Sequence, residues 1–87
     1  MNEKKFLVVR VVEDFRGAVG SPFRFHHLYV SDIYGNNGFS SRIGDAMKFE
    51  AAQASTIMKA LETVEQIHSD IFYNEGIKVF YSIEEAQ

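Results

Sequence analysis

The chain has 87 residues, a net charge of −3, no cysteine and 46% hydrophobic residues. That suits one domain spanning residues 1–87, apolar enough to fold and able to bury roughly 60–65% of its unfolded surface. The missing cysteines exclude disulfide staples and thiolate metal sites; the acidic balance argues against a bulk nucleic-acid binder; and no apolar stretch approaches the roughly 20 residues that cross a bilayer.

The leading residues run into a short apolar segment broken by Arg10. They lack the apolar core and small-residue cleavage site of a secretory signal, so a cytoplasmic protein is expected. Residues 5–13 (KFLVVRVVE) are β-branched and apolar on both faces. Leu7, Val9 and Val11 lie on one face and Phe6, Val8, Arg10 and Val12 on the other, which marks a central strand. Residues 14–22 hold two of the six glycines and the single proline, and read as a loop. Residues 23–33 form a second strand rich in aromatics. Tyr34-Gly35-Asn36-Asn37-Gly38 is a turn, because Asn and Gly tolerate positive φ. Residues 39–43 make a short third strand, followed by a loop at Gly44-Asp45.

Residues 50–72 read as one amphipathic helix. At about 100° per residue, Ala54, Ile57, Met58, Leu61, Val64, His68, Ile71 and Phe72 share a stripe. Gln53, Thr56, Thr63, Gln66 and Asp70 fall largely outside it, and Asn74 and Gly76 supply stop signals. Residues 77–83 form the last strand, with Ile77, Val79, Tyr81 and Ile83 alternating against Lys78, Phe80 and Ser82. Residues 84–87 are expected to fray. The result is an α+β fold of order β-β-β-α-β: a four-stranded, mostly antiparallel sheet in the order 4-1-2-3, with one long helix packed on one face. The first three strands form a meander. The helix is expected to carry the chain back, so that the last strand lies parallel to the first through a right-handed crossover.

One helix covers one face of such a sheet. If Leu7, Val9 and Val11 meet it, the opposite face carries Phe6, Val8, Arg10, Val12, Phe25, His27, Tyr29, Lys78 and Phe80. Eight Phe and four Tyr are many for this length, and an aromatic patch of this kind suits an interface. Either a protein partner or a second copy covers it, as a homodimer would, or the 14–22 loop and the chain ends fold over it. A second candidate surface lies on the helix. Residues 50–75 carry five carboxylates against Lys59 alone, and Glu62, Gln66 and Asp70 offer a row that a basic partner would meet. The plainer reading is a solvated helix face.

Aromatics beside Arg10, Arg42 and Lys78 would also suit single-stranded nucleic acid. The Gly-Phe-aromatic signature of RNA-recognition strands is missing, however, and nucleic acid is disfavoured by the charge. Gly17-Ala18-Val19-Gly20 has the form of a GxxG clamp, but it joins strands where that clamp joins helices. His26 and His27 are neighbours on a strand, so they point to opposite faces and cannot share one metal. His68 with Glu65 one turn earlier reads either as a general base with its orienter or as a hydrogen-bonded core histidine. Ser40 and Ser41 lack a positioned base and a nucleophile elbow. With no phosphate loop, dinucleotide fingerprint or HExxH, neither an enzyme nor a cofactor is expected.

The stretch Ile43-Gly44-Asp45-Ala46-Met47-Lys48-Phe49-Glu50-Ala51-Ala52-Gln53-Ala54, with a helix and a terminal strand after it, resembles small proteins encoded by phages and prophages of Gram-positive bacteria. In these an Ala, a Phe three residues on and an Ala-containing helix follow a short hairpin. The resemblance covers residues 25–85 and is carried by Ala46, Phe49 and Ala54, in packing roles. The second strand here is longer than in that pattern. The resemblance implies no catalytic residues. It implies an accessory protein that binds a host or phage protein, in some cases to inhibit host defence. The expected function is therefore a non-enzymatic protein–protein interaction module, with a sheet-face homodimer or a single-strand nucleic-acid binder as the alternatives.

Overall fold

In a computed structural model that describes residues 4–14, 25–31, 38–71 and 76–86, the chain builds one sheet from β1 (Phe6–Asp14), β2 (Phe25–Val30), β3 (Phe39–Ser40) and β4 (Ile77–Glu85). Its order is β3-β2-β1-β4, which is 4-1-2-3 read from the other edge, as expected. The long helix α1 (Ala51–Ile71) lies over β1 and β4. The 15–22 loop with its GxxG sequence, residues 34–37 of the expected turn, and Phe72 and Asn74 at the helix stop lie outside the described residues. No helix among the described residues is long and apolar enough to cross a membrane.

The expected parallel pairing of first and last strands is overturned. β4 runs antiparallel to β1 over its whole length, from Ile77 opposite Asp14 to Glu85 opposite Phe6. The reason is the brevity of β3. It stops after two residues, where the Ser40 hydroxyl accepts the Arg42 N–H and donates to Asp45 Oδ2. The expected strand over 39–43 thus ends three residues early, and the chain makes a 3-10 turn over Ile43–Asp45, on the expected loop. It recrosses the same end of the sheet through bridges Ser31–Ala46 and Phe6–Phe49. The helix therefore starts beside the N-terminal end of β1, runs along it, and β4 returns. Twenty-one helical residues and nine strand residues both span roughly 30 Å, so α1 and β4 make a hairpin of matched length.

The expected facing of β1 is also reversed. Val8 packs with Phe49 and Ala54 under the helix, flanked by Phe6, Val30, Ile57, Met58, Leu61 and Ile83. Leu7, Val9 and Val11 form a separate cluster on the far face with Tyr29, Ala46 and Ala86. Both faces of β1 are apolar, so its own pattern could not choose between them. Ala54 is fully buried, and its small side chain lets the helix backbone approach the sheet. At the helix start, Gln53 Oε1 accepts the Glu50 N–H at 3.2 Å, the returning half of a capping box. The expected fraying is corrected for residues 84–86, Gln87 lying outside the described residues: Glu84 and Glu85 pair with Leu7 and Phe6, and the Ala86 N–H donates to the Lys5 carbonyl.

Candidate functional site

The helix meets the sheet in two different ways. Its first three turns bring Ala54, Ile57, Met58 and Leu61 into the core beneath it. Its second half is held by polar side chains. Arg10, in the middle of β1, points to the helix side, where its Nη2 lies 3.5 Å from Glu65 Oε1. Tyr81, directly opposite Arg10 on β4, donates its hydroxyl to the same Glu65 oxygen at 3.2 Å. The Arg10 guanidinium also sits 5.6 Å from the centre of the Phe39 ring, within cation–π range. Arg10 Nε is buried and finds no hydrogen-bond partner among the described residues. Burial raises the Tyr81 phenol to about 12, with the charge and hydrogen bond of Glu65 adding to that rise and Arg10 opposing it. A carboxylate spanned by a guanidinium and a phenol that stays protonated is a strut. It positions the helix, and its phenol stays protonated at neutral pH.

Glu65 is thus committed to Arg10 and Tyr81, and His68 is exposed on the helix surface. His68 is therefore not the core histidine that the helical stripe suggested. Ser40 is equally committed: it is buried and bonded to Asp45. His26 and His27 stand opposite Val12 and Val11 and so point to different faces. No group of three metal-ligating side chains occurs among the described residues.

The aromatic set expected on one open sheet face is split. Phe6 and Arg10 lie on the helix side. Phe25, His27, Tyr29 and Phe80 lie on the other, paired with Glu13, Val11, Val9 and Val11 respectively. That second face is also closed over its centre, since Leu7, Val9 and Val11 are buried. What remains exposed is its end near Phe25 and Phe80. Lys78, opposite Glu13, shares that second face with Phe25, Tyr29 and Phe80, while Arg10 is on the helix side.

The helix row is brought together as expected. Glu62, Gln66 and Asp70 are all exposed, and Gln66 Nε2 donates to Asp70 Oδ1 at 2.8 Å. Below them, a groove of about 220 Å³ runs between helix and strand, lined by Glu62, Glu65, Gln66, Ser69, Val79, Phe80 and Tyr81. Val64 and Ile71 belong to the stripe expected to be buried. The structure leaves Val64, Ile67 and Ile71 respectively 63%, 55% and 65% exposed. The signal lay in the helical wheel. Ala54 and Leu61 share one direction, while Val64, Ile67 and Ile71 centre about 100° away from it, too wide an arc for one sheet to cover. No family model, no curated protein and no solved structure matches this chain.

Proposed function

We propose that this chain is a non-enzymatic protein-interaction module, a cytoplasmic accessory protein of the phage or prophage kind that binds a host protein and thereby inhibits it. The accessory and inhibitory part of this reading comes from the resemblance around Ala46, Phe49 and Ala54. The binding part is supported by one observation: the C-terminal half of α1 keeps Val64, Ile67 and Ile71 in water. Three large aliphatic side chains in consecutive turns are an apolar stripe of the kind found at protein interfaces. On the same half-helix, Asp70 lies roughly 90° and Glu62 roughly 170° round from the centre of that stripe. The partner that fits is a protein presenting an apolar groove with Lys or Arg on its Asp70 side.

The test is affinity capture from host extract with the wild type, with Ile67→Lys, and with the double variant Glu62→Gln/Asp70→Asn. A protein retained by the wild type, lost with Ile67→Lys and made insensitive to salt by the double variant supports the reading. Identical retention by all three sinks it. Sedimentation across a concentration series separates the rival: a dimer dissolved by Ile67→Lys would give the stripe to a second copy of the chain.

A further inference from the structure

The groove under Glu62 and Gln66 opens onto the outer side of β4, and the backbone there has hydrogen-bonding capacity to offer. Phe6 exchanges both of its backbone bonds with Phe49 at 2.7 and 2.8 Å, on the β2 side of β1, while Lys5 accepts from Ala86 on the β4 side. The alternation of an antiparallel ladder then turns Leu7, Val9, Val11 and Glu13 toward β4. Their partners there are Glu84, Ser82, Phe80 and Lys78. The N–H and C=O groups of Ile77, Val79, Tyr81, Ile83 and Glu85 consequently point away from the sheet. Among the described residues, no strand pairs with them.

Natural sheets blunt long edges with proline, bulges or clustered lysines. The sequence of β4, IKVFYSIEE, has no Pro or Gly, one Lys, and an uncharged centre. The opposite edge, β3, is two residues long. We propose that the outer edge of β4 docks an extended strand of the partner protein, with Lys or Arg at alternate positions; this rests on the protein-binding reading above and gives the partner segment its chemistry.

The charge pattern selects that occupant. A strand added to β4 has every second side chain on the helix side, next to Val79, Tyr81 and Ile83. There it lies in the groove beneath Glu62 and Gln66, where a cationic head meets carboxylate. The intervening side chains lie beside Phe80, which is 40% exposed, and suit apolar residues. A second copy of β4 would instead set the two α1 helices side by side, with Glu62 and Asp70 of each confronting the carboxylates of the other. Main-chain pairing supplies affinity in such strand addition, and alternate side chains supply selectivity.

The probe is a labelled alternating lysine–valine peptide as long as β4, titrated against the full chain by fluorescence anisotropy. Three modifications accompany it: the same peptide N-methylated on alternate amides, the same peptide with Glu for Lys, and the variant Val79→Pro. That variant removes an outward N–H and no bond to β1. Methylation on the face that meets β4 and Val79→Pro should each weaken binding by about tenfold or more. The glutamate peptide should not bind, and Glu62→Gln should weaken binding several-fold while flattening its salt dependence. Circular dichroism checks the fold of Val79→Pro, and should it not fold, the methylated peptide decides alone.

No binding of the lysine–valine peptide, or equal binding of methylated and plain peptides, overturns the proposal. If Ile67→Lys still abolishes partner capture in that case, the interaction-module reading survives without the edge. A dimer in sedimentation that Val79→Pro dissolves also overturns it, by assigning the edge to a second copy.

Discussion

The two halves of α1 are held by different physics. The first half buries Ala54 completely and packs Ile57, Met58 and Leu61 around Val8 and Phe49. That contact is apolar and gains its strength from area removed from water. The second half touches the sheet through Glu65, which reaches Arg10 and Tyr81, and leaves Val64, Ile67 and Ile71 outside. A helix fixed by apolar packing at one end and by a polar strut at the other can carry a binding surface on its strutted end. Substitutions there disturb little of the core, and the strut keeps the surface in one place.

Substitutions at the packed end should have the largest effect. Phe49→Ala removes a buried ring that packs with Val8 and Ala54, and should cost about 3–5 kcal/mol. In a domain this small that approaches the whole folding free energy, so urea denaturation should find the variant partly unfolded. Ala54→Leu tests the same half by overfilling it, at about 1–3 kcal/mol.

The strut comes next. Glu65→Ala leaves the half-buried Arg10 guanidinium without its carboxylate and should cost roughly 1–3 kcal/mol. Arg10→Met made in that background should recover part of the loss, and a double-mutant cycle reads the coupling directly. No coupling between the two sites would mean that the strut does not hold the helix.

A third check uses pH. The folded chain holds the Tyr81 proton up to about 12, above the usual 10, so folding favours the neutral phenol. The stability linked to this group is fully present below pH 10 and is lost as pH rises from there toward 12. Alkaline unfolding should therefore begin above pH 10, and Tyr81→Phe should remove this part of the pH dependence. Ultraviolet titration of phenolate in both proteins measures it.

The smallest effect on stability belongs at the exposed end. Ile67→Lys should change folding free energy by no more than about 0.5 kcal/mol while abolishing partner capture. A large loss of stability in that variant would mean that Ile67 is packed, and the contrast between the halves would disappear.

Much of this architecture was legible in the residues. The helix boundaries of 50–72 lie within a residue of Ala51–Ile71, because apolar spacing at helical period is a strong local signal. The central place of β1 followed from apolar side chains on both its faces; the sheet order was reached through a parallel crossover, and it holds although β4 pairs antiparallel. The acidic row of Glu62, Gln66 and Asp70 could be read from helical spacing alone. Three things could not. The direction of β4 depends on Ser31, Ser40 and Asp45, whose bonds end β3 and bend the link; serines inside two expected strands and an aspartate in the loop after them announce no such role. The facing of β1 was undecidable for a strand apolar on both sides, and assigning it wrongly put Phe6 and Arg10 on the open face. The strut joins positions 10, 65 and 81, which are local to nothing in the sequence.

The inventory of elements, their order along the chain, and the charge and aromatic content of each follow from local periodicity and composition. Which face of β1 meets the helix and which way β4 runs are settled only when the chain closes on itself. Those choices are made by contacts between residues far apart in the chain. Reversing β4 or flipping β1 leaves every local pattern unchanged, so the energy that selects among them appears only when the sheet and helix close on each other.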